Sequence, residues 1–487
     1  MKKMNLLVMS LVSAAALSFS SCSSNDDLTS GGGSNQSKVE SFYMTFAVQT
    51  PTSNGTRTQQ QTEKKTATEV ETKITSGTFY LVNEKTQKTV FTKHITASEL
   101  NNSAPESPVK GTTTTKIEVP VQDVDEGVKY TVYFLANTTD ATPWASVFAP
   151  AAEKFTTTNK FDAGYATDNA FVMFNQNDNK TRANQYTVEF TAANKDIDNA
   201  AKVTGTIMLD RVTARIDKPE TEATSITAKY PEGATETKKA AIDAEIAKVK
   251  TVTQNNYAIT NLSNKTNIMQ KWDDAWAALQ IPAGTEYMQK SGDLGDQWTL
   301  NNYSWFANAE KNYVFENTKE TPTTMYFEYV LGLDETKFSD TPDCTDGTFY
   351  RYNGVIYRSI AAIYAAYADQ PILFGGKTAE ALKGELKIAD GKITATDAEL
   401  AKFRKDNVIE VFVAGKTYYS QVITDKWLGS NTIQRNTVYK LNVKNIYNLG
   451  ADVPNGKPDE NKPMYYLDVE VSVNPWVLST QDVNLNE

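Results

Sequence analysis

Proton transfer and nucleophilic relays use histidine more than any other side chain, and this 487-residue chain has a single one, His94. A Ser-His-Asp relay or a histidine-rich zinc site would have to be built around it. It sits in FTKHITAS with no motif about it, so a strand or surface histidine is expected. Carboxylates gather at Asp340, Asp343 and Asp346 in DTPDCTDGTF. Clustered carboxylates can take Ca²⁺, but the spacing is not that of an EF-hand, and a solvated turn is expected instead. In KWDDAWAALQIP, Asp273 and Asp274 stand beside Trp272 and Trp276. A carboxylate pair among aromatics suits glycoside chemistry or a sugar-binding face. Adjacent residues, however, point in different directions on a helix or a strand. No glycine-rich phosphate loop is present. Cys344 lies inside the acidic cluster and reads as a free thiol, because the other cysteine, Cys22, has a different expected fate. No catalytic residue, metal or cofactor is implied, and an enzyme is the least favoured reading.

Two further positions invite chemistry performed on the chain. MKKMNLLVMSLVSAAALSFSSC carries Lys2 and Lys3, an apolar run from Leu6 to Leu17 and then small residues. That is a secretory signal peptide, too short to span a bilayer. Its end, FSSC, resembles a bacterial lipobox, which implies cleavage before Cys22 and acylation of its thiol. The alternative is a plain signal peptide with an incidental cysteine. A Ser/Gly/Asn-rich tether follows, SSNDDLTSGGGSNQSK. Its Asp26-Asp27 pair resembles the surface-export signal of Bacteroidota lipoproteins. The second position is Arg57, in the polar stretch TSNGTRTQQQTEKK, the only arginine in the first 181 residues. A lone trypsin-like site next to a strand that looks necessary calls for an explanation; an incidental surface arginine is the plain one.

The elements that would position these residues are mostly strands. The composition, 40% hydrophobic and 22% charged, is ordinary for a globular protein, and the length allows two or three cores. A net charge of −10 argues against nucleic acid as a partner. Abundant Tyr and Thr favour half-buried strands. Phe42, Met44, Phe46 and Val48 alternate with polar or smaller residues, the period of a strand with one face in a core. Further strands are predicted over 77–82, 116–121, 130–137, 170–175, 186–192, 201–217, 408–423 and 436–450. Helices are predicted over 235–250, with Ile242, Ile246 and Val249 on one stripe, and over 357–370 and 396–407. After a Pro-containing polar spacer, 451–463, Leu467, Val469, Val471 and Val473 alternate with Asp468, Glu470, Ser472 and Asn474, and the pattern stops at Pro475 before Trp476. The expected fold is all-β with a few helices, as two tandem β-sandwich domains of the transthyretin-like kind. The expected N-terminal domain spans 58–213. The C-terminal domain spans 214–450 and carries helical insertions.

Two well-patterned strands near the termini, each beside a polar segment, can both pair within the parent sandwich. They can also exchange between copies, one leaving and another copy's strand taking its place, a known mode of β-augmentation. Burying four such side chains contributes roughly 6–12 kcal/mol gross, less the entropy of ordering the segment.

RNTVYKLNVKNIYNLG, the spacer and MYYLDVEVSVNPWVLSTQDVNL resemble the C-terminus of Bacteroidales fimbrillins, most of all the stalk subunit of short (minor) fimbriae. The lipobox, the tether, the early strand and Arg57 fit the same family's N-terminus, and IMLDRVTARID is similar to its interdomain segment. The resemblance covers both ends of the chain better than its centre. It implies export as an outer-membrane lipoprotein (signal peptide 1–21, propeptide 22–57) and cutting between Arg57 and Thr58 by an extracellular Arg-specific protease. Loss of a plug strand made of Phe42, Met44, Phe46 and Val48 would open an apolar groove. A donor strand at 464–487, with Leu467, Val469, Val471, Val473 and Trp476, would enter from another copy. The implied partners are copies of the same chain in a head-to-tail polymer, accessory anchor and tip subunits, and the protease. Membrane contact is only through the transient lipid on Cys22. The implied role is a surface fimbria serving adhesion and biofilm formation. From Thr58 on, the chain holds 45 basic and 56 acidic residues, net −11, which favours solubility before assembly. An anchor subunit should lack a usable arginine site and a tip subunit a donor tail; both features are present. A monomeric, surface-anchored glycan-binding lipoprotein is the alternative from another class.

Overall fold

The computed structural model of the protein describes residues 40–50, 65–101, 112–137, 154–156, 165–177, 186–289, 310–370, 372–454 and 466–478. The N-terminal part begins with β1 (Ser41–Gln49), β2 (Lys65–Ala67) and the short helix α1 (Glu69–Thr72). It continues with β3 (Gly77–Asn83), β4 (Thr89–Ile95), α2 (Ala97–Asn101), β5 (Thr112–Pro120), β6 (Lys129–Ala136), β7 (Met173–Asn175), β8 (Thr187–Glu189), β9 (Ala201–Lys202) and β10 (Ile207–Arg211). Next come β11 (Ala214–Asp217), β12 (Glu220–Thr221), β13 (Ile226–Thr227), α3 (Glu236–Ile246), β14 (Val249–Thr260), β15 (Lys311–Val314) and β16 (Thr324–Leu333). The last stretch holds β17 (Phe349–Tyr352), β18 (Val355–Tyr357), α4 (Ile360–Ala366), α5 (Ala379–Leu386), α6 (Asp397–Asn407), β19 (Glu410–Phe412), β20 (Lys416–Val422), β21 (Thr437–Tyr447) and β22 (Tyr466–Leu478). The chain is mostly strand with a few helices, as its composition led one to expect.

A nine-stranded sheet gathers β1 and β3 to β10, in the order β9-β1-β10-β7-β6-β3-β4, with β5 also on β1 and β8 on β6. A seven-stranded sheet runs β2-β22-β21-β11-β15, with β12 and β13 also on β21. The chain passes from the first to the second between Arg211 and Ala214, inside the stretch expected to link two halves. The halves are not separate. Tyr80 and Val172 share a buried cluster with Ile268 and Phe315, and Val438 of β21 packs into the core that contains β1.

A third sheet, β14-β16-β20, carries an excursion. Strands β16 and β20 pair directly, Val330 opposite Lys416, while residues 334–415 leave and return between them. This insert builds its own core from Tyr350, Ile360, Ile363, Leu382, Leu386 and Phe403 around the sheet β18-β17-β19 and helices α4 to α6. The helices begin on side-chain caps: Thr235, Ser359, Thr378 and Thr396 each accept from a backbone N–H of the first turn. At Thr396 the reciprocal bond from its own N–H to Glu399 completes a capping box.

Several local expectations are corrected. The helix expected over 235–250 stops at Ile246, because Val249 opens β14 and pairs with Leu333, so the ladder outcompetes the helical stripe. Of 357–370 only Ile360–Ala366 is helical; Tyr357 ends β18. The strand expected over 408–423 is broken by a tight turn at Ala414 and Gly415, both at positive φ (51° and 71°). A Cβ on Gly415 would stand 2.5 Å from the Leu331 carbonyl oxygen. Helix α5 was not anticipated. Strand β22 continues through Pro475 to Leu478. The proline faces Thr437 at the very end of the β21 ladder, where its missing N–H costs least.

Candidate functional site

The alternation in β1 is realised in full. Phe42, Met44 and Val48 are completely buried and Phe46 nearly so, while the odd-numbered residues from Ser41 to Gln49 are half-exposed. Phe42 packs on Phe190 with ring centroids 5.2 Å apart, and Phe46 packs on Phe79 (5.0 Å) and Phe134 (5.6 Å). Strand β1 lies between others on both edges. Along one, all nine residues pair antiparallel with β5, from Ser41 opposite Pro120 to Gln49 opposite Thr112. Along the other, Met44 and Thr45 meet β9, and Val48 and Gln49 meet β10, both parallel. Such a strand is the centre of a core, and taking it out would leave an apolar slot with unpaired backbone on both sides.

Strand β22 lies on an edge of β21. Ten residue pairs run antiparallel, from Thr437 opposite Pro475 to Tyr447 opposite Tyr466, with a bulge between Val443 and Asn445. Leu467 is buried; Val469 and Val471 are half-buried against the second core. The side chains of Val473 and Trp476 lie outside the described residues, although their backbones are in the ladder opposite Tyr439 and Lys65. The three residues of β2 run parallel to Trp476–Leu478. The terminal strand and the first described residues after Arg57, Lys65–Ala67, therefore meet in one sheet. Cys22, Arg57 and Thr58 fall outside the described residues.

Behind β2 sits a buried ion cluster that the sequence did not announce. Glu71 of α1 is fully buried. Its carboxylate accepts from Arg215 (2.9 and 3.1 Å), Lys311 (2.8 Å), the Tyr313 hydroxyl (3.1 Å) and the Thr68 N–H (2.8 Å). Burial alone would raise the Glu71 carboxyl, but Lys311, the Thr68 N–H and Arg215 outweigh it and hold the carboxyl at about 2. Arg211, also fully buried, donates to the Glu71 carbonyl oxygen (2.8 Å) and to Asn436 just ahead of β21 (2.8 Å). The run DRVTARID thus ties α1 to both sheets. Its only trace in the sequence is two arginines in a chain that holds eight among 49 basic residues.

The other candidates resolve into structural roles. Asp340 accepts from the Ser359 hydroxyl, Asp343 from the Ile360 N–H and Asp346 from the Thr348 N–H, so the acidic run supports the start of α4 and a turn. Among the described residues no group of three acidic, histidine or cysteine side chains could hold a metal ion. Cys344 is a free, buried thiol pushed up to about 11 by burial and by Asp346 and Asp343. Asp273 accepts from the N–H groups of Ala277 and Ala278, and Trp272 is buried with its indole donating to the Asn177 carbonyl (2.7 Å), so no paired-carboxylate platform forms there. His94 lies on β4 with Nδ1 3.4 Å from the Thr78 hydroxyl.

Residues 410–482 match the family described as major fimbrial subunit protein type IV, fimbrillin, C-terminal. That segment is therefore similar to the C-terminal part of fimbrial subunits. No curated protein matches the chain. Solved structures similar to it include a cell adhesion protein from Parabacteroides distasonis (15% identity, TM-score 0.47, covering 91% of this chain and 100% of that one). A fimbrilin from Porphyromonas gingivalis has 15% identity and a TM-score of 0.42, covering 91% and 100%. A tip fimbrial protein from the same organism has 12% identity and a TM-score of 0.34, covering 90% and 100%.

Proposed function

For a chain that ends in a fimbrillin-type C-terminal segment, we propose the role of a stalk subunit that polymerises by protease-triggered strand exchange. The observation that carries this is β1: a fully patterned central strand joined to the rest of the protein through the segment that holds Arg57. In this reading the chain reaches the outer surface as a lipoprotein held by Cys22. An Arg-specific protease cuts between Arg57 and Thr58, β1 leaves with its anchor, and the 464–487 segment of another copy fills the slot. Anchor and tip subunits would end the polymer, and adhesion would be the outcome. The N-terminal sheet with its slot and the C-terminal sheet with its tail would act as two tandem sandwich domains.

Direction is constrained. An incoming strand that restores the ladder must run antiparallel to β5 and parallel to β10, as β1 does. In the single chain β22 already has a partner in β21, so docking on another copy exchanges one ladder for another. In this reading the exchange becomes favourable once the cut β1 departs and leaves its slot empty.

Limited trypsin digestion of the soluble chain from Ser23, followed by N-terminal sequencing and an unboiled sizing gel, tests the reading. A fragment starting at Thr58 with a ladder of multimers is the expected result. Clean cutting at Arg57 with monomer alone would leave a tip subunit or a missing assembly factor. No cutting there and a uniform monomer would favour the anchored glycan-binding lipoprotein. Arg57→Ala should fold, resist cutting and fail to polymerise.

A further inference from the structure

A cavity of ≈ 410 Å³ lies between α3, the β17–β18 hairpin and the start of β14. Ile226, Ile242, Ile246, Val355 and Ile356 supply its apolar wall. The polar side chains along it are already engaged. Arg351 donates to both Glu410 oxygens (2.5 and 2.7 Å) and to the Leu449 carbonyl (3.2 Å). Asn448 donates to the Lys229 carbonyl (2.8 Å) and accepts from the Lys229 N–H (3.0 Å). Glu245 accepts from Lys248 (2.8 Å) and from the Ile356 N–H (2.7 Å). An occupant would find few free hydrogen-bonding groups inside and must be apolar over most of its length.

The mouth differs from the interior. Lys238, exposed on α3, lines it and makes no ion pair among the described residues. On a chain of net charge −10, an unpaired ammonium at the lip of an apolar cavity selects a ligand with one negative end. Helix α3 is lightly seated, with Ile242 its only buried residue. Val408, also lining the cavity, is 66% exposed and held at φ 54°. A β-branched side chain in that region is strained, and such strain gathers at functional sites.

We propose that this cavity binds an amphipathic monocarboxylate, its aliphatic chain between α3 and the β17–β18 hairpin and its carboxylate at Lys238. A cavity of about 150 Å³ holds benzene, so this one has room for a chain on the order of fifteen heavy atoms. The site is independent of strand exchange: it involves neither β1 nor β22.

The test is calorimetric titration of the full chain with decanoate and, separately, with decanol, alongside thermal unfolding. Saturable one-to-one binding of decanoate and a raised Tm are expected. Lys238→Glu should weaken decanoate about fivefold to tenfold and leave decanol unchanged. Ala241→Trp, at an exposed helical position on the cavity rim, should abolish both while keeping the ligand-free Tm. Three results would overturn the proposal: no saturable decanoate binding below about 1 mM, equal affinity in Lys238→Glu, or binding that survives Ala241→Trp.

Discussion

Glu71 is the residue through which the N-terminal segment grips the rest of the protein. Its buried carboxylate faces two cations and a hydroxyl, so its ionised form is strongly preferred. The folded-state value, about 2, is depressed from 4.5, so the stabilisation is complete above pH 4.5 and fades as pH falls toward 2. The shift corresponds to about 3 kcal/mol. Glu71→Gln should therefore cost about 3 kcal/mol at pH 7, since it removes the counter-charge of Lys311 and leaves Arg215 with Asp217 alone. Urea unfolding from pH 7 to pH 3 should show the wild type losing that advantage while the variant changes less. Parallel pH curves for the two proteins would refute the assignment. Cys344 offers a second check at this scale. In the chain from Ser23, where Cys344 is the one cysteine, a buried thiol raised to about 11 should resist a disulfide reagent in the native state and react once per chain in denaturant. Fast native labelling would mean that the insert opens readily.

Among the elements, β1 and β5 depend on each other. The described residues give β5 no ladder partner except β1. Once β1 leaves, β5 should become the least protected part of its sheet until another strand docks. Hydrogen exchange on the cut monomer should show fast amides over 112–120, slowing again in the polymer; protection unchanged by cutting would mean that β1 stays in place. Phe46→Ala separates precursor from polymer. Phe46 is buried against Phe79 and Phe134, so the uncut chain should lose about 3–5 kcal/mol. If β1 is discarded on cutting, the same substitution should leave polymer stability unchanged, and a weakened polymer would argue that β1 remains.

For the whole molecule, the tail has a place at home. Strand β22 covers one edge of β21 and meets β2 on its other side, so removing 464–487 strips the second sheet as well as any donor. That deletion should stop growth after normal cutting and also lower the Tm of the uncut monomer. Normal assembly of the truncated chain would end the strand-exchange reading. The tie from β2 through α1 to Arg211 and Arg215 comes after Arg57 in the chain, so a cut at Arg57 should leave residues 65–72 bound whether or not β1 departs.

Periodicity made the strands legible, because alternation records which face meets the core without regard to where the partner lies in the chain. Phe42 to Val48 and Leu467 to Val471 could be read in that way. What tertiary structure alone decided is everything that depends on long-range partners. Glu71 in TATEVETK looks like part of a polar spacer, and only the arrival of Arg215 and Lys311, 144 and 240 residues away, makes it a buried anchor. Pro475 looked like a strand's end until β21 supplied a ladder whose final position needs no donor. The cavity beside α3 has no sequence signature, because a void is bounded by side chains from separate stretches of the chain and belongs to none of them.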